Sequence, residues 1–233
     1  MLIFLDLETT GITAEDRVCS IALVDEKSFV YEFINEGKKI PPTASAIHHI
    51  TNEMIQRAPE LVKSQSWGYL QEHNLNENII IGHNVSFDIE MLEKKGFVWQ
   101  GELIDTMRVA KHLIEECDSY ALQNLRYELK LYKKESNILQ NYGIKDAIEA
   151  HNALGDALVV KLLFEYLSEF SNVDEMLELT HKKVLLNKFS FGKYKERYIE
   201  EIVLNDRAYI EWMYGLQDID EDLRYSLEYY LEG

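Results

Sequence analysis

Two acidic residues, Asp6 and Glu8, interrupt the apolar run Leu2-Ile3-Phe4-Leu5-Asp6-Leu7-Glu8 near the start of the chain. In a β-strand, side chains two positions apart project from one face. The two carboxylates then stand side by side and repel each other, and burying either without a partner is costly. A bound cation relieves that cost, and paired acids at a rigid strand end suit magnesium. The plain alternative is a strand that frays after Leu5 and leaves both acids in water. Two later segments repeat the chemistry. Gly82-His83-Asn84-Val85-Ser86-Phe87-Asp88 places an acid in the first turn of a helix directly after a strand. His151-Asn152-Ala153-Leu154-Gly155-Asp156 places another at the start of a long helix, with a histidine in the loop before it. Taken singly, each acid could simply complement a helix dipole. Asp105, at a strand-to-helix junction, is read as a cap.

The elements that must hold these residues follow from the apolar pattern. Val18, Ile21, Leu23 and Val24 mark a second strand over 17–25 and Lys27 to Ile34 a third, joined by the polar link Asp25-Glu26-Lys27. That spacing predicts a three-stranded meander. Pro41-Pro42 breaks the chain. Short helical turns are expected over 44–50 and 53–57, the second capped by Thr51, and a helix over 59–73. A strand over 78–81 precedes a helix from an N-cap at Ser86 to Lys95. A strand over 103–105 precedes a helix over 106–116, and another helix begins near Ser119. Val159, Leu162, Leu163, Tyr166, Leu167 and Phe170 form a sustained helical stripe. Strands first, then strands alternating with helices, predict an α/β mixed sheet flanked by helices.

The totals bound the class. With 233 residues, 46% of them hydrophobic, the chain can bury a core of one large domain plus an appendage. Two cysteines are too few for a disulfide framework, which with the absence of a basic leader predicts a reduced, cytoplasmic setting. No apolar run is long enough to cross a bilayer. A net charge of -17 opposes wholesale non-specific binding to a polyanion, but not local neutralisation of phosphates by metal.

The order D-x-E, then G-H-N-x-x-F-D, then H-x4-D resembles the DEDD 3′–5′ exonuclease superfamily, and within it the His-containing, DnaQ-like DEDDh branch. Phe4 to Gly11 is similar to the first motif of that family, Ile47-His48-His49-Ile50-Thr51 to its His-x-Ile-Thr segment, and Asp105-Thr106 to its Asp-Thr. The match covers roughly residues 1–170. The resemblance implies a ribonuclease H-like fold, a five-stranded mixed sheet with three antiparallel strands. It implies two divalent cations, Mg2+ or Mn2+, held by Asp6, Glu8, Asp88 and Asp156, with His151 as general base. Two such ions about 3.5–4 Å apart activate water and stabilise the leaving oxygen. The expected products are nucleoside 5′-monophosphates from a free 3′ end, most simply of DNA. Amides around Thr9, Thr10 and Gly11 are expected on the terminal nucleotide, and Ile12, His49 and Phe87 on the last bases. His48 and His83 are read as structural.

Beyond Phe170 the composition shifts. Lys182, Lys183, Lys188, Lys193, Lys195 and Arg197 are interleaved with Phe189, Phe191, Tyr194 and Tyr198, and two short amphipathic helices follow. This 182–233 segment resembles the small module behind exodeoxyribonuclease X-type domains, with Glu196 where that module usually has glycine. Two readings stay open: a contact for a nucleic-acid strand, or a mini-core with a lysine rim. The acids at 218, 220, 221 and 222 are expected on a solvated helix face. The leading expectation is a repair or clean-up exonuclease. The rivals are a polymerase proofreading subunit, an RNA-directed relative, and a non-catalytic 3′-end scaffold.

Overall fold

A computed structural model describes residues 1–114 and 117–232. The chain divides into two compact units, Met1–Thr180 and His181–Gly233.

The first unit is built on one five-stranded sheet: β1 (Leu2–Thr9), β2 (Val18–Val24), β3 (Phe29–Phe33), β4 (Ile79–Gly82) and β5 (Glu102–Asp105), in spatial order β3-β2-β1-β4-β5. β1, β2 and β3 pair antiparallel; β4 runs parallel to β1, and β5 to β4. Its helices are α1 (Pro42–His48), α2 (Gln65–Glu72), α3 (Val85–Glu93), α4 (Thr106–Leu113), α5 (Leu122–Glu128), α6 (Glu135–Tyr142), α7 (Ala153–Leu167) and α8 (Val173–His181). The Asp25 link closes the β2–β3 hairpin, its carboxylate accepting from the Lys27 and Ser28 amides at 2.7 and 2.8 Å.

Strand alternation sorts β1 between two cores. Ile3, Leu5 and Leu7 pack with Leu70, Ile89 and Leu92 of α2 and α3. Phe4 packs on the opposite face with Leu158, Val159, Leu162 and Leu163 of α7. The face of Phe4 is also that of Asp6 and Glu8, so the sequence period alone aims both acids at the helix that carries Asp156. α7 is apolar nearly all round and buried along its length, as a helix laid across a sheet should be.

Several element boundaries differ from expectation, each for a local reason. The helix predicted over 59–73 is split. Leu61–Lys63 is a single 3-10 turn, and the Ser64 hydroxyl accepts from the Trp67 amide to start α2 afresh. Residues 53–57 form only turns, as expected, with the Thr51 hydroxyl accepting from the Met54 amide at 3.3 Å. α3 is capped two residues before the predicted cap, at Asn84 rather than Ser86. Asn84, at φ 63, takes the left-handed position that asparagine tolerates, and Ser86 lies inside the first turn. α4 ends at Leu113, and Glu115–Glu116 of its predicted end lie outside the described residues. α6 and α8 carry too little apolar periodicity to be seen in advance.

Among its described residues the second unit holds α9 (Ile199–Asn205), α10 (Arg207–Tyr214) and α11 (Glu221–Glu232), three helices where two were expected. Phe189, Ile199, Ile202, Ile210, Met213, Leu223 and Leu227 form its core. The Arg224 guanidinium donates to the carbonyls of Tyr214, Leu216 and Gln217, tying α11 to the end of α10. Asp222 departs from the solvated face predicted for it: it is buried and accepts from the Val184 amide at 2.9 Å. Glu196 occupies a left-handed turn position at φ 67, so the turn forms without the usual glycine.

Candidate active site

Asp6 and Glu8 leave β1 on the α7 side, and Asp156 comes from the first turn of α7. One carboxylate oxygen from each lies within 4.8 Å of the other two. Asp88, in the first turn of α3, is buried just outside this trio. Its charge nevertheless acts on Asp6.

The electrostatics are those of crowded, buried like charges. Burial first, and then the charges of Asp156, Asp88 and Glu8, push the Asp6 carboxyl well above the ordinary carboxylate range. Burial and then Asp156 raise Glu8 to about 8. Burial raises Asp156 to about 7, against the pull of the His151 amide, Arg126 and Gln123. Burial also raises Asp88, opposed by a backbone hydrogen bond from Leu7. The dominant charges acting on Asp6 share its own sign. The donor set is three hard carboxylates with no proton-free way to coexist, which is the chemistry of a divalent-cation site.

Asp156 is held from two sides. Its Oδ2 accepts from the His151 backbone amide at 3.1 Å, and its Oδ1 from the Gln123 side-chain amide at 2.5 Å. Asn152 caps α7, its Oδ1 accepting from the Gly155 amide at 3.1 Å. His151 precedes the cap at φ 57, with an exposed side chain. Gly155 makes this approach possible. A Cβ there would stand 2.5 Å from the Glu149 carbonyl, so only glycine lets the 148–151 loop lie against the helix and bring His151 to Asp156.

The loop after β1 is braced by Asp16. Its carboxylate accepts from the Thr10 hydroxyl, the Thr13 amide and hydroxyl, and the Lys38 ammonium. The Lys38 contact comes first among the causes that hold the Asp16 carboxyl far below its usual range. Gly11 leaves the room, since a Cβ would meet Asp16 Oδ2 at 2.6 Å. The Thr10 amide, expected on substrate, instead donates to the Arg17 carbonyl at 2.8 Å and closes the loop. The Thr9 hydroxyl donates to the Gly11 carbonyl at 2.7 Å. Ile12 stands 87% exposed at the loop tip, His49 is exposed at the left-handed end of α1, and Phe87 is half-buried beside Asp88.

Three residues read as structural are placed so. The His48 ring accepts from the Ile50 amide at 3.0 Å within the core. His83 is held between the Thr106 hydroxyl and the Tyr120 carbonyl, at 3.0 and 2.8 Å. Asp105 caps α4 through the Met107 and Arg108 amides and also accepts from the Asn84 amide. Gln123, Arg126 and Glu135, which touch or brace Asp156, were not foreseen. Nothing in the local pattern of α5 or α6 marks them, because their partner is 33 residues from Gln123 in sequence.

In the second unit the aromatic residues divide. Phe189 and Tyr209 pack edge to face at 6.1 Å, whereas Phe191, Tyr198 and Trp212 are exposed. Lys193 lies 4.6 Å from the Tyr194 ring centre and pairs with Asp206 at 3.0 Å, and Lys188 lies 4.5 Å from that of Tyr198. Both readings therefore find residues to stand on.

A mixed sheet in this order, with helices on both faces and acids gathered at β1, α3 and α7, is the ribonuclease H-like architecture of the DEDD exonucleases. Comparison with known proteins makes the assignment specific. A family model described as Exonuclease matches residues 3–164, and one described as Exodeoxyribonuclease X-like C-terminal matches residues 189–215. The chain belongs to the Exonuclease family, and its enzyme class is that of the 3′–5′ exonucleases, which generally use divalent metal ions. It is 26% identical to exodeoxyribonuclease 10 of Escherichia coli K12 over 240 residues, covering 100% of both chains. It is 29% identical to the DNA polymerase III subunit epsilon of Treponema pallidum, over 68% of this chain and 72% of that one. Among solved structures, exonuclease X in complex with 5′ overhanging duplex DNA superposes with a TM-score of 0.59 at 26% identity, covering 77% of this chain and 99% of that one. The nuclease domain of 3′hExo, a DEDDh family member bound to rAMP, shares the fold at 11% identity and a TM-score of 0.54, over 72% of this chain and 92% of that one. Among the described residues, no helix is long and apolar enough to cross a membrane.

Proposed function

We propose that the protein removes nucleoside 5′-monophosphates from the 3′ end of DNA by metal-dependent hydrolysis, in repair or clean-up. The observation that carries this reading is the convergence of Asp6, Glu8 and Asp156 in a partly buried site that keeps too much negative charge for itself. Two divalent cations, magnesium or manganese, would neutralise the scissile phosphate and acidify the attacking water when held by these carboxylates and Asp88. Asp6, the member of the trio on which the charge of Asp88 also acts, would be the ligand shared between the two cations. Asp156 presents oxygens oriented by the His151 amide and Gln123. His151 is the general base: its exposed imidazole is carried by a backbone that is anchored to Asp156, so a ring nitrogen can accept the proton of the attacking water and pass it to solvent.

The loop over Thr9, Thr10 and Gly11 shapes the wall beside the carboxylates, with Thr10 acting through its hydroxyl bond to Asp16. Ile12, His49 and Phe87 supply surfaces for the terminal bases, since stacking tolerates any sequence. The repair or clean-up reading is favoured over a proofreading role by extent. The likeness to exodeoxyribonuclease 10 runs the whole length of both chains, and the second unit carries the matching C-terminal module.

The deciding experiment is degradation of matched single-stranded DNA, duplex DNA and RNA, each labelled at the 5′ end, with and without Mg2+. Stepwise shortening of DNA that stops in EDTA is expected. Binding without shortening would instead establish a 3′-end scaffold. Preferential shortening of RNA would overturn the DNA assignment.

A further inference from the structure

The Oδ1 of Asp156 is fixed by a chain of side chains that runs through Gln123 and Arg126 to Glu135. Gln123 Nε2 donates to it at 2.5 Å. Arg126 Nη1 donates to Gln123 Oε1 at 3.0 Å. Arg126 is itself buried and forked onto Glu135, with Nε to Oε1 at 2.6 Å and Nη2 to Oε2 at 2.9 Å. A further bond from Nη2 reaches the Ile148 carbonyl at 3.1 Å, in the loop that leads to His151.

The chemistry of the partners makes this arrangement directional. A guanidinium only donates, so the end of the Gln123 amide that faces Arg126 must be its oxygen. The NH2 end is thereby turned toward Asp156, and the amide cannot flip without losing both bonds. A carboxylate only accepts, so the same orientation satisfies Asp156. Glu135 completes the device by fixing the plane of the guanidinium in a bidentate pair.

The choice of an amide as the last link matters. An arginine placed directly on Asp156 would orient it equally well, but its full charge would compete with a cation for the same oxygens. The amide passes on the orientation and leaves the carboxylate charge available. The positive charge stays one residue back, paired with Glu135.

We propose that Gln123 is a positioning residue that fixes Asp156 Oδ1 for divalent-cation binding, and that Arg126, braced by Glu135, dictates which end of the Gln123 amide faces it. This rests on the metal-site reading above, and the test separates the two. Mn2+ binding to the full chain is measured by titration calorimetry for wild type, Gln123→Met, Arg126→Met and the double variant, with kcat and KM on a 5′-labelled oligonucleotide alongside. Gln123→Met keeps the length of the side chain and removes only its polar end. It should weaken Mn2+ binding and lower kcat by about 10-fold or more, the scale usual for residues that orient a metal ligand, with KM unchanged. Arg126→Met should weaken binding less than that. The double variant should be no weaker than Gln123→Met, because an arginine acting only through Gln123 has nothing left to orient. If Arg126→Met fails to fold, Arg126→Lys takes its place, keeping the charge and losing the fork. Mn2+ affinity within twofold of wild type in Gln123→Met overturns the proposal, and additive losses in the double variant overturn the role given to Arg126. Failure of wild type itself to bind Mn2+ would instead overturn the metal-site reading.

Discussion

Replacing Glu8 by Gln should stabilise the metal-free protein while abolishing its activity. Glu8 has an ordinary value near 4.5 in the unfolded chain and about 8 in the fold, chiefly through burial and then through Asp156. A carboxyl whose value is raised on folding contributes stability that is fully present below 4.5 and lost as pH rises through about 8. At pH 7 the protein must keep Glu8 protonated while the unfolded chain would release the proton. That gap of about 2.5 pH units costs about 3 kcal/mol. Gln retains the shape and sheds the titration, so Glu8→Gln should recover up to about 3 kcal/mol, or roughly 6–12 °C in Tm for a unit of this size. The assay is a thermal melt in EDTA across pH 4.5 to 8.5. The two proteins should differ least at pH 4.5 and diverge steadily toward pH 8, with the variant the more stable. Added Mg2+ should then raise the wild-type Tm, by about 2.7 kcal/mol at 100 times the dissociation constant, and raise the variant less. Superimposable melts over the whole range would refute the idea that repulsion at this site is stored against cation binding.

Asp6→Asn and Asp156→Asn should each remove Mg2+-dependent cleavage, read as loss of mononucleotide release. His151→Ala should cost about 10²–10⁴-fold in kcat while Mn2+ binding measured by calorimetry stays intact, because the ring and not the backbone amide is removed. Near-normal turnover would exclude His151 as the base. Glu196→Gly should stabilise the second unit by about 1 kcal/mol, since a left-handed position penalises any Cβ, and chemical denaturation would show it. The double change Phe191→Ala and Trp212→Ala removes two largely exposed rings, of which Trp212 also touches Tyr209. It should leave the melt unchanged and lower single-stranded DNA affinity in fluorescence anisotropy if the strand-contact reading of the second unit is right; unchanged affinity would favour the lysine-rim reading.

What could be read from the sequence was whatever depends on short repeats. The alternation of Phe4, Asp6 and Glu8 against Ile3, Leu5 and Leu7 sorts β1 between its two cores, and period two is visible in eight residues. The stripe from Val159 to Phe170 announced α7, and with it the first-turn position of Asp156. Competition between local hydrogen bonds was harder to see. Ser64 restarts a helix that apolar spacing alone would have run through, and Asn84 accepts a left-handed conformation that shifts the start of α3. Long-range partners left no local trace. Asp222 shares its acidic run with solvated neighbours, yet it is buried and meets the Val184 amide 38 residues away. Gln123 looks like any polar residue of a short helix until α7 is folded beside it.

Gly155 shows where the tolerance of this enzyme for change is narrowest. It has no functional group to contribute, yet a Cβ on it would stand only 2.5 Å from the Glu149 carbonyl, so the bare backbone at this position decides whether the loop of His151 lies against Asp156. Adding one methyl group there would leave every acid and the histidine in place and still pull the assembly apart. A survey for lost activity that counts only intact catalytic residues would score such a variant as competent.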